Sequence, residues 1–200
     1  KIFILNSKKK VIKKIIFLTQ DISFSELKYR LSQNILKKNY IQKCLFCSVV
    51  PLTYRIFKYF FKKNFNVKCY ELKNLKLRSL LKIKVNFKQI GSDRLANAIG
   101  AKDNKKNFII LDFGTATTFD VLIKDTYYGG VIAPGINLSL NTLSEKARLI
   151  PKINLKKVNK VVGVNTINAV RSGFFWGYSG LIDNIISLIM KETKKSFKII

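Results

Sequence analysis

Leu111-Asp112-Phe113-Gly114-Thr115-Ala116-Thr117-Thr118-Phe119-Asp120 is a stretch whose pattern predicts a strand, a tight turn of small and hydroxyl residues, and a second strand. Phe108-Ile109-Ile110-Leu111 is a continuous apolar run suited to a buried strand, and strand character resumes from Phe119 to Ile123. Gly114 and three threonines lie between them. Glycine lets the backbone come close to a ligand, and threonine hydroxyls and exposed amides donate hydrogen bonds to phosphate oxygens. Asp112, at the strand end, can face a cation directly or through water. Two readings stay open on these residues alone: a hairpin that cradles a phosphate, and an ordinary Gly-Thr hairpin.

Further glycine-marked segments accompany it. Gly91-Ser92-Asp93-Arg94 opens an apolar-periodic helix through Leu95, Ala96, Ala98 and Ile99, with Ser92 or Asp93 at the helix start. Gly129-Gly130-Val131-Ile132-Ala133-Pro134-Gly135 ends a strand and leads into a helix from Ile136 to Ala147. Gly163-Val164-Asn165-Thr166 and Ser172-Gly173 follow. In this order, GSDR, DFGTATTFD, GGVIAPG and GVNT resemble type III pantothenate kinase, a family of the actin-like ATPase superfamily that also includes hexokinase and acetate kinase. The resemblance runs from the Asp93 region to about Asp183 and is weak before Gly91.

The resemblance implies a function: ATP-dependent phosphorylation of pantothenate to 4'-phosphopantothenate, the first step of coenzyme A synthesis. Phosphoryl transfer needs charge neutralisation around the transferred group and a base for the substrate hydroxyl. By the resemblance, Asp93 is that base, and Gly91, Ser92 and Arg94 complete the substrate-binding motif, with Ser92 in place of the usual alanine. Arg94 has the guanidinium fork that holds oxygen anions bidentately. On the residues alone, Asp93 and Arg94 also fit an N-capping aspartate beside a surface arginine. Asp112 matches a residue that binds a monovalent cation, potassium or ammonium, Thr115 a nucleotide-binding threonine, and Thr166 a pantothenate contact; magnesium accompanies the ATP. The resemblance also implies a homodimer with the site shared across the interface. One departure precedes GSDR, where Lys84-Val85-Asn86-Phe87-Lys88 replaces the family's Tyr and Asn-Pro pair. The alternative is a non-catalytic homologue acting as an accessory or binding protein.

Strands alternate with helical patterns along the chain. Lys1 to Leu5 and Val11 to Thr19 predict two strands joined at Asn6-Ser7-Lys8; a helix capped by Ser23 or Ser25 runs to about Asn39; Cys44 to Val50 is a buried strand. Pro51 opens a helix through Phe65, where Tyr54, Phe57, Tyr59, Phe60, Phe61 and Phe65 are read as packing rather than as a base-stacking platform. Val67 to Leu72 returns as a strand, Asn165 to Lys194 is a long helix, and Phe197 to Ile200 begins another strand. This order predicts an α/β protein with mixed sheets flanked by helices. The resemblance implies two actin-like (ribonuclease H-like) domains, over 1–106 and 107–200, with ATP in the cleft. The family's Asp-x-Gly-Asn-Thr hairpin is expected before Lys1 and its adenosine segment after Ile200, so the chain looks truncated at both ends.

The chain has 200 residues, 48% of them apolar, and a mean hydropathy of +0.07, enough for a real core. No apolar run approaches the roughly 20 residues of a membrane span, and the start Lys1-Ile2-Phe3-Ile4-Leu5 lacks a signal peptide's order, so a soluble, cytoplasmic protein is expected. A net charge of +27 would suit nucleic acid. The lysines, however, are dispersed and accompany abundant Ile, Asn and Phe, as a genome rich in A and T encodes, so no nucleic-acid partner is assigned. Cys44, Cys47 and Cys69 are read as core thiols: Cys44-Leu45-Phe46-Cys47 has CxxC spacing, but no second pair and no histidine complete a zinc site. The absence of histidine excludes a Ser-His-Asp triad and leaves carboxylate, Lys, Cys or Tyr as the general base.

Overall fold

A computed structural model of the chain describes residues 1–16, 22–32, 41–47 and 50–200. The ends predicted for the second strand, the first helix and the Cys44 strand fall partly on 17–21, 33–40 and 48–49, outside the described residues. The chain forms two compact units, one of Lys1–Lys76 with Gly91–Ala96 and one of Leu77–Ile90 with Asn97–Ile200. Mixed sheets flanked by helices make it α/β, as the alternation predicts.

In the first unit, β1 (Ile2–Leu5) and β2 (Val11–Ile15) form an antiparallel hairpin. Its turn closes where the Asn6 side chain accepts the Lys10 N–H at 3.0 Å. Helix α1 (Phe24–Ser32) is capped by Ser23, whose hydroxyl accepts the Glu26 N–H. Strand β3 (Cys44–Phe46) pairs in parallel with β4 (Cys69–Glu71), and α2 (Pro51–Phe65) connects them. Pro51 occupies the first turn of α2, where a missing N–H costs nothing, and Asn66 ends the helix in the left-handed region. Phe57, Phe60 and Phe61 are buried with Leu27, Leu31, Phe46 and Cys69, so three of the α2 aromatics are core, whereas Tyr59 remains exposed. The cysteines do not all follow expectation: Cys69 is buried, but Cys47, at the end of a three-residue strand rather than inside a longer one, is exposed.

The second unit is built on one mixed sheet of order β5-β8-β7-β6-β9. Its strands are β5 (Lys82–Ile83), β6 (Asn107–Phe113), β7 (Ala116–Ile123), β8 (Thr126–Pro134) and β9 (Lys198–Ile199). The meander β6-β7-β8 is antiparallel, while β5 and β9 add in parallel at the two edges. Of helix α3 (Ser92–Ala101), which precedes the meander in the chain, Asn97 to Ala101 belong to this unit and Ser92 to Ala96 to the first; α4 (Ile136–Lys146) and the 28-residue α5 (Thr166–Thr193) follow the meander. Side chains alternate faces along a strand, so the paired residues Ile109 with Val121 and Leu111 with Phe119 share one face. That face packs against Leu181, Ile182, Ile185, Ile186 and Ile189 of α5.

The opposite face of the meander is polar at its centre. Asp120 is completely buried, and the Tyr127 hydroxyl donates to its Oδ1 at 2.6 Å. Removing that donor leaves a buried carboxyl group one partner poorer, which costs about 2 kcal/mol. A Tyr127→Phe variant is therefore expected to unfold at clearly lower urea concentration than the parent, with an unchanged slope. An unchanged midpoint would show that the phenol does not support Asp120.

Candidate functional site

The first group of candidate residues sits where α3 begins. Gly91 accepts the first helical bond, from the Leu95 N–H, so Ser92 and Asp93 are the first two residues of the helix rather than its cap. Ser92 is buried and its hydroxyl donates to Glu71 Oε1 at 2.5 Å, fastening the helix start to the end of β4. Asp93 is exposed. Its Oδ1 accepts the Arg94 N–H at 2.8 Å, and its second oxygen has no partner among the described residues. A carboxylate in the first turn is favoured by the helix dipole. Arg94, half-buried, follows directly. All four residues of the GSDR segment are thus gathered at one helix start, with Glu71 beneath them as a member that sequence reasoning missed. A contact between residues 21 positions apart leaves no local periodic signal.

Cys47 belongs to the same neighbourhood. Partial desolvation, with the negative charges of Glu71 and Asp93 added, pushes its thiol up to about 11. The thiolate is the reactive form, so a raised value means an inert thiol at neutral pH. Iodoacetamide at pH 8 is expected to label Cys47 roughly a hundredfold more slowly in the native protein than in the urea-unfolded chain, where an ordinary thiol titrates near ~8.5. Equal rates, followed by peptide mass spectrometry, would show that neither burial nor the carboxylates raise this thiol. Cys44 and Cys69 face each other across β3 and β4 with their sulfurs 3.2 Å apart. The shared hydrogen bond and burial hold Cys44 strongly in its thiol form.

The second group is the β6-β7 hairpin. Its turn is shorter than the threonines suggested: β7 begins at Ala116, so Thr117 and Thr118 are strand residues and Gly114-Thr115 alone form the connection. Pairing continues to Phe113 with Thr117, which removes two of the three threonines from the turn. Thr117 is buried. Thr115 is exposed, and its hydroxyl has no partner among the described residues. The turn is held by Gly114 N–H to Ala116 O at 3.0 Å and Gly135 N–H to Thr115 O at 2.9 Å. Gly135 is glycine for lack of room, since a Cβ there would lie 2.5 Å from the Thr115 carbonyl oxygen and closer still to that of Gly114.

Asp112 is the last residue but one of β6 and is exposed; the Asn97 amide of α3 approaches its Oδ2 at 3.5 Å. Thr118 is its cross-strand partner and so lies on the same sheet face. The Thr118 Oγ1 is buried and has no hydrogen-bond partner among the described residues. A carboxylate beside an unused hydroxyl oxygen is a hard donor set, suited to a cation that prefers oxygen. Neither Asn97 nor Thr118 was singled out by sequence; only strand parity, once the turn is known, would have found Thr118.

Thr166 stands apart from both groups in the chain, at the start of α5. Asn165 caps that helix, its side chain accepting the Asn168 N–H at 2.9 Å. Gly163 lies so close to the first turn that a Cβ would come within 2.6 Å of the Ala169 Cα. The GVNT segment thus divides into a close-packed glycine, a cap, and a Thr166 whose exposed hydroxyl has no partner among the described residues. Among the described residues no helix is long and apolar enough to cross a membrane.

A sequence profile of the type III pantothenate kinase family matches residues 3–188. A type III pantothenate kinase from Pelagibacter ubique (strain HTCC1062) is 66% identical over 200 residues, which is 100% of this chain and 81% of that protein. A type III pantothenate kinase from Persephonella marina (strain DSM 14350 / EX-H1) is 39% identical, over 82% of this chain and 66% of that protein. A crystal structure described as a conserved Baf-family transcriptional activator from Campylobacter jejuni gives a TM-score of 0.48 at 22% identity, covering 84% of this chain and 70% of that one. With the profile spanning nearly the whole chain and a relative at 66% identity along all of it, the chain belongs to the type III pantothenate kinase family.

Proposed function

We propose that this protein transfers the γ-phosphoryl group of ATP to the primary hydroxyl of pantothenate, giving 4'-phosphopantothenate and ADP as the first step of coenzyme A synthesis. The observation that carries this reading is the exposed Asp93 carboxylate in the first turn of α3, with one oxygen held by the Arg94 amide and the other without a protein partner. The proton lost by the substrate hydroxyl goes to that oxygen as the oxygen-phosphorus bond forms. Because phosphoryl transfer asks mainly for positioning and charge neutralisation, a fixed carboxylate is the principal catalytic group required of this segment. Arg94 and Thr166 contact pantothenate, with Gly91 and Ser92 shaping the helix start. Thr115 and the amides of its turn bind nucleotide phosphates.

Magnesium enters with the ATP. Asp112, with the Thr118 hydroxyl on the same face, fits a monovalent cation, potassium or ammonium, which when bound supplies positive charge beside the phosphates. The remaining parts of the reading are two actin-like domains over 1–106 and 107–200, a cytoplasmic setting and a homodimer that shares its sites. The highly exposed Val162 and Val164, close in sequence to Thr166, support such an interface.

Pantothenate-dependent ADP release in KCl and in NaCl tests the assignment. Turnover is expected to be at least about tenfold faster in KCl, and Asp112→Asn to abolish the difference. Equal rates in both salts would remove Asp112 from a cation site. ADP release indifferent to pantothenate would remove the substrate.

A further inference from the structure

Thr117 is buried, and its hydroxyl is hydrogen-bonded to the phenol of Tyr178 on α5. The same phenol donates to the Pro134 carbonyl at 2.9 Å. A carbonyl can only accept, so the single phenolic proton is directed at Pro134 and the Thr117 hydroxyl donates to the phenol oxygen. One side chain therefore grips the end of β8 and the start of β7, and these two segments hold the nucleotide turn. Ala116 pairs with Pro134 and Thr117 with Ala133 in the ladder; Gly135, next to Pro134, donates to Thr115; Gly114 donates to Ala116.

We propose that Tyr178 is a positioning residue for the Gly114-Thr115 turn, fixing through Thr117 and Pro134 the direction in which the turn presents its amides and hydroxyl. Its effect on nucleotide rests on the reading of that turn as the ATP site; its effect on the turn does not. The assignment also gives Thr117 a role. It is an anchor beneath the turn, and Thr115 is the threonine left to face a ligand.

The test is amide hydrogen exchange, with steady-state kinetics alongside, on the parent, Tyr178→Phe, Thr117→Val and Thr117→Ser. In Tyr178→Phe the Gly114 and Gly135 amides are expected to exchange at least about tenfold faster while those of central α5 keep their rates, since the phenol's bonds to Thr117 and Pro134 are both lost and one alone is worth about that factor. The KM for ATP should rise by a similar factor, with the KM for pantothenate within about twofold. Thr117→Val, which leaves the bond to Pro134 in place, should show the same change in smaller measure, Thr117→Ser should restore parent behaviour, and Tyr178→Phe with Thr117→Val should lose little more than Tyr178→Phe alone. Parent exchange rates at both glycines would overturn the proposal, as would a uniform rise across the whole sheet with both KM values raised together. Faster exchange confined to the turn in a protein that shows no ATP turnover even as parent would uphold the anchoring by Tyr178 and sink the nucleotide reading.

Discussion

Replacing Asp93 with Asn is expected to lower kcat for pantothenate phosphorylation by about a thousandfold, within the range that a positioned general base supplies. The change keeps shape. An asparagine Oδ1 can still accept the Arg94 N–H that Asp93 Oδ1 now accepts at 2.8 Å, so the loop entering α3 should hold its path. What disappears is a proton acceptor, together with one negative charge near a helix N-terminus, whose loss costs about 0.5 kcal/mol. Pantothenate and ATP should still bind. Cys47 offers an internal check that does not depend on activity: Asp93 is one of the charges that raise its thiol, so in the variant that thiol should titrate lower. Burial is the larger cause of the shift, so the fall should be partial. A variant that keeps parent kcat would remove Asp93 as the base.

Gly135→Ala should damage stability and nucleotide binding together. The new methyl would press on the backbone oxygens of Gly114 and Thr115, and backbone cannot swing aside as a side chain can. Overpacking of this kind costs about 1–3 kcal/mol, which for a chain of this size lowers Tm by roughly 3–10 °C. Because the displaced atoms form the turn, ATP affinity should fall at least about tenfold. Gly114→Ala is the informative contrast. A Cβ there meets only the Ala116 carbonyl oxygen, at an ordinary 3.7 Å, so Tm should barely move. If phosphate approaches that backbone, ATP affinity should nevertheless drop. A Gly135→Ala protein with parent Tm and parent ATP affinity would refute the close packing of the turn.

These two positions also show what a sequence can and cannot convey. Long regular elements were legible because burial imposes a period: the run Phe108 to Leu111 lies inside β6, and the helix predicted over Asn165 to Lys194 is α5 with Asn165 as its cap. The hairpin was legible as well, but its turn was not. Thr117 and Thr118 look like turn residues by type, yet ladder pairing draws them into β7 on opposite faces, one against Tyr178 and one beside Asp112. Strand β5 escaped notice because two residues give no period, and its parallel partner in β8 lies more than 40 positions on. The CxxC run failed for a related reason. With β3 only three residues long, Cys47 falls past the strand end and stays exposed. Glu71 under Ser92 and Asn97 beside Asp112 are products of folding that no local pattern encodes. The roles proposed for Asp93, Arg94, Thr115 and Thr166 rest on the order of four motifs, and the structure adds the surroundings in which each can be tested.

The most direct test of the kinase assignment is identification of the product. The purified protein, incubated with ATP, magnesium, potassium and pantothenate, should yield 4'-phosphopantothenate by mass spectrometry, in equal amount to the ADP released. A folded protein that binds both substrates and leaves pantothenate unphosphorylated would contradict it, and would make the chain a non-catalytic member of its family.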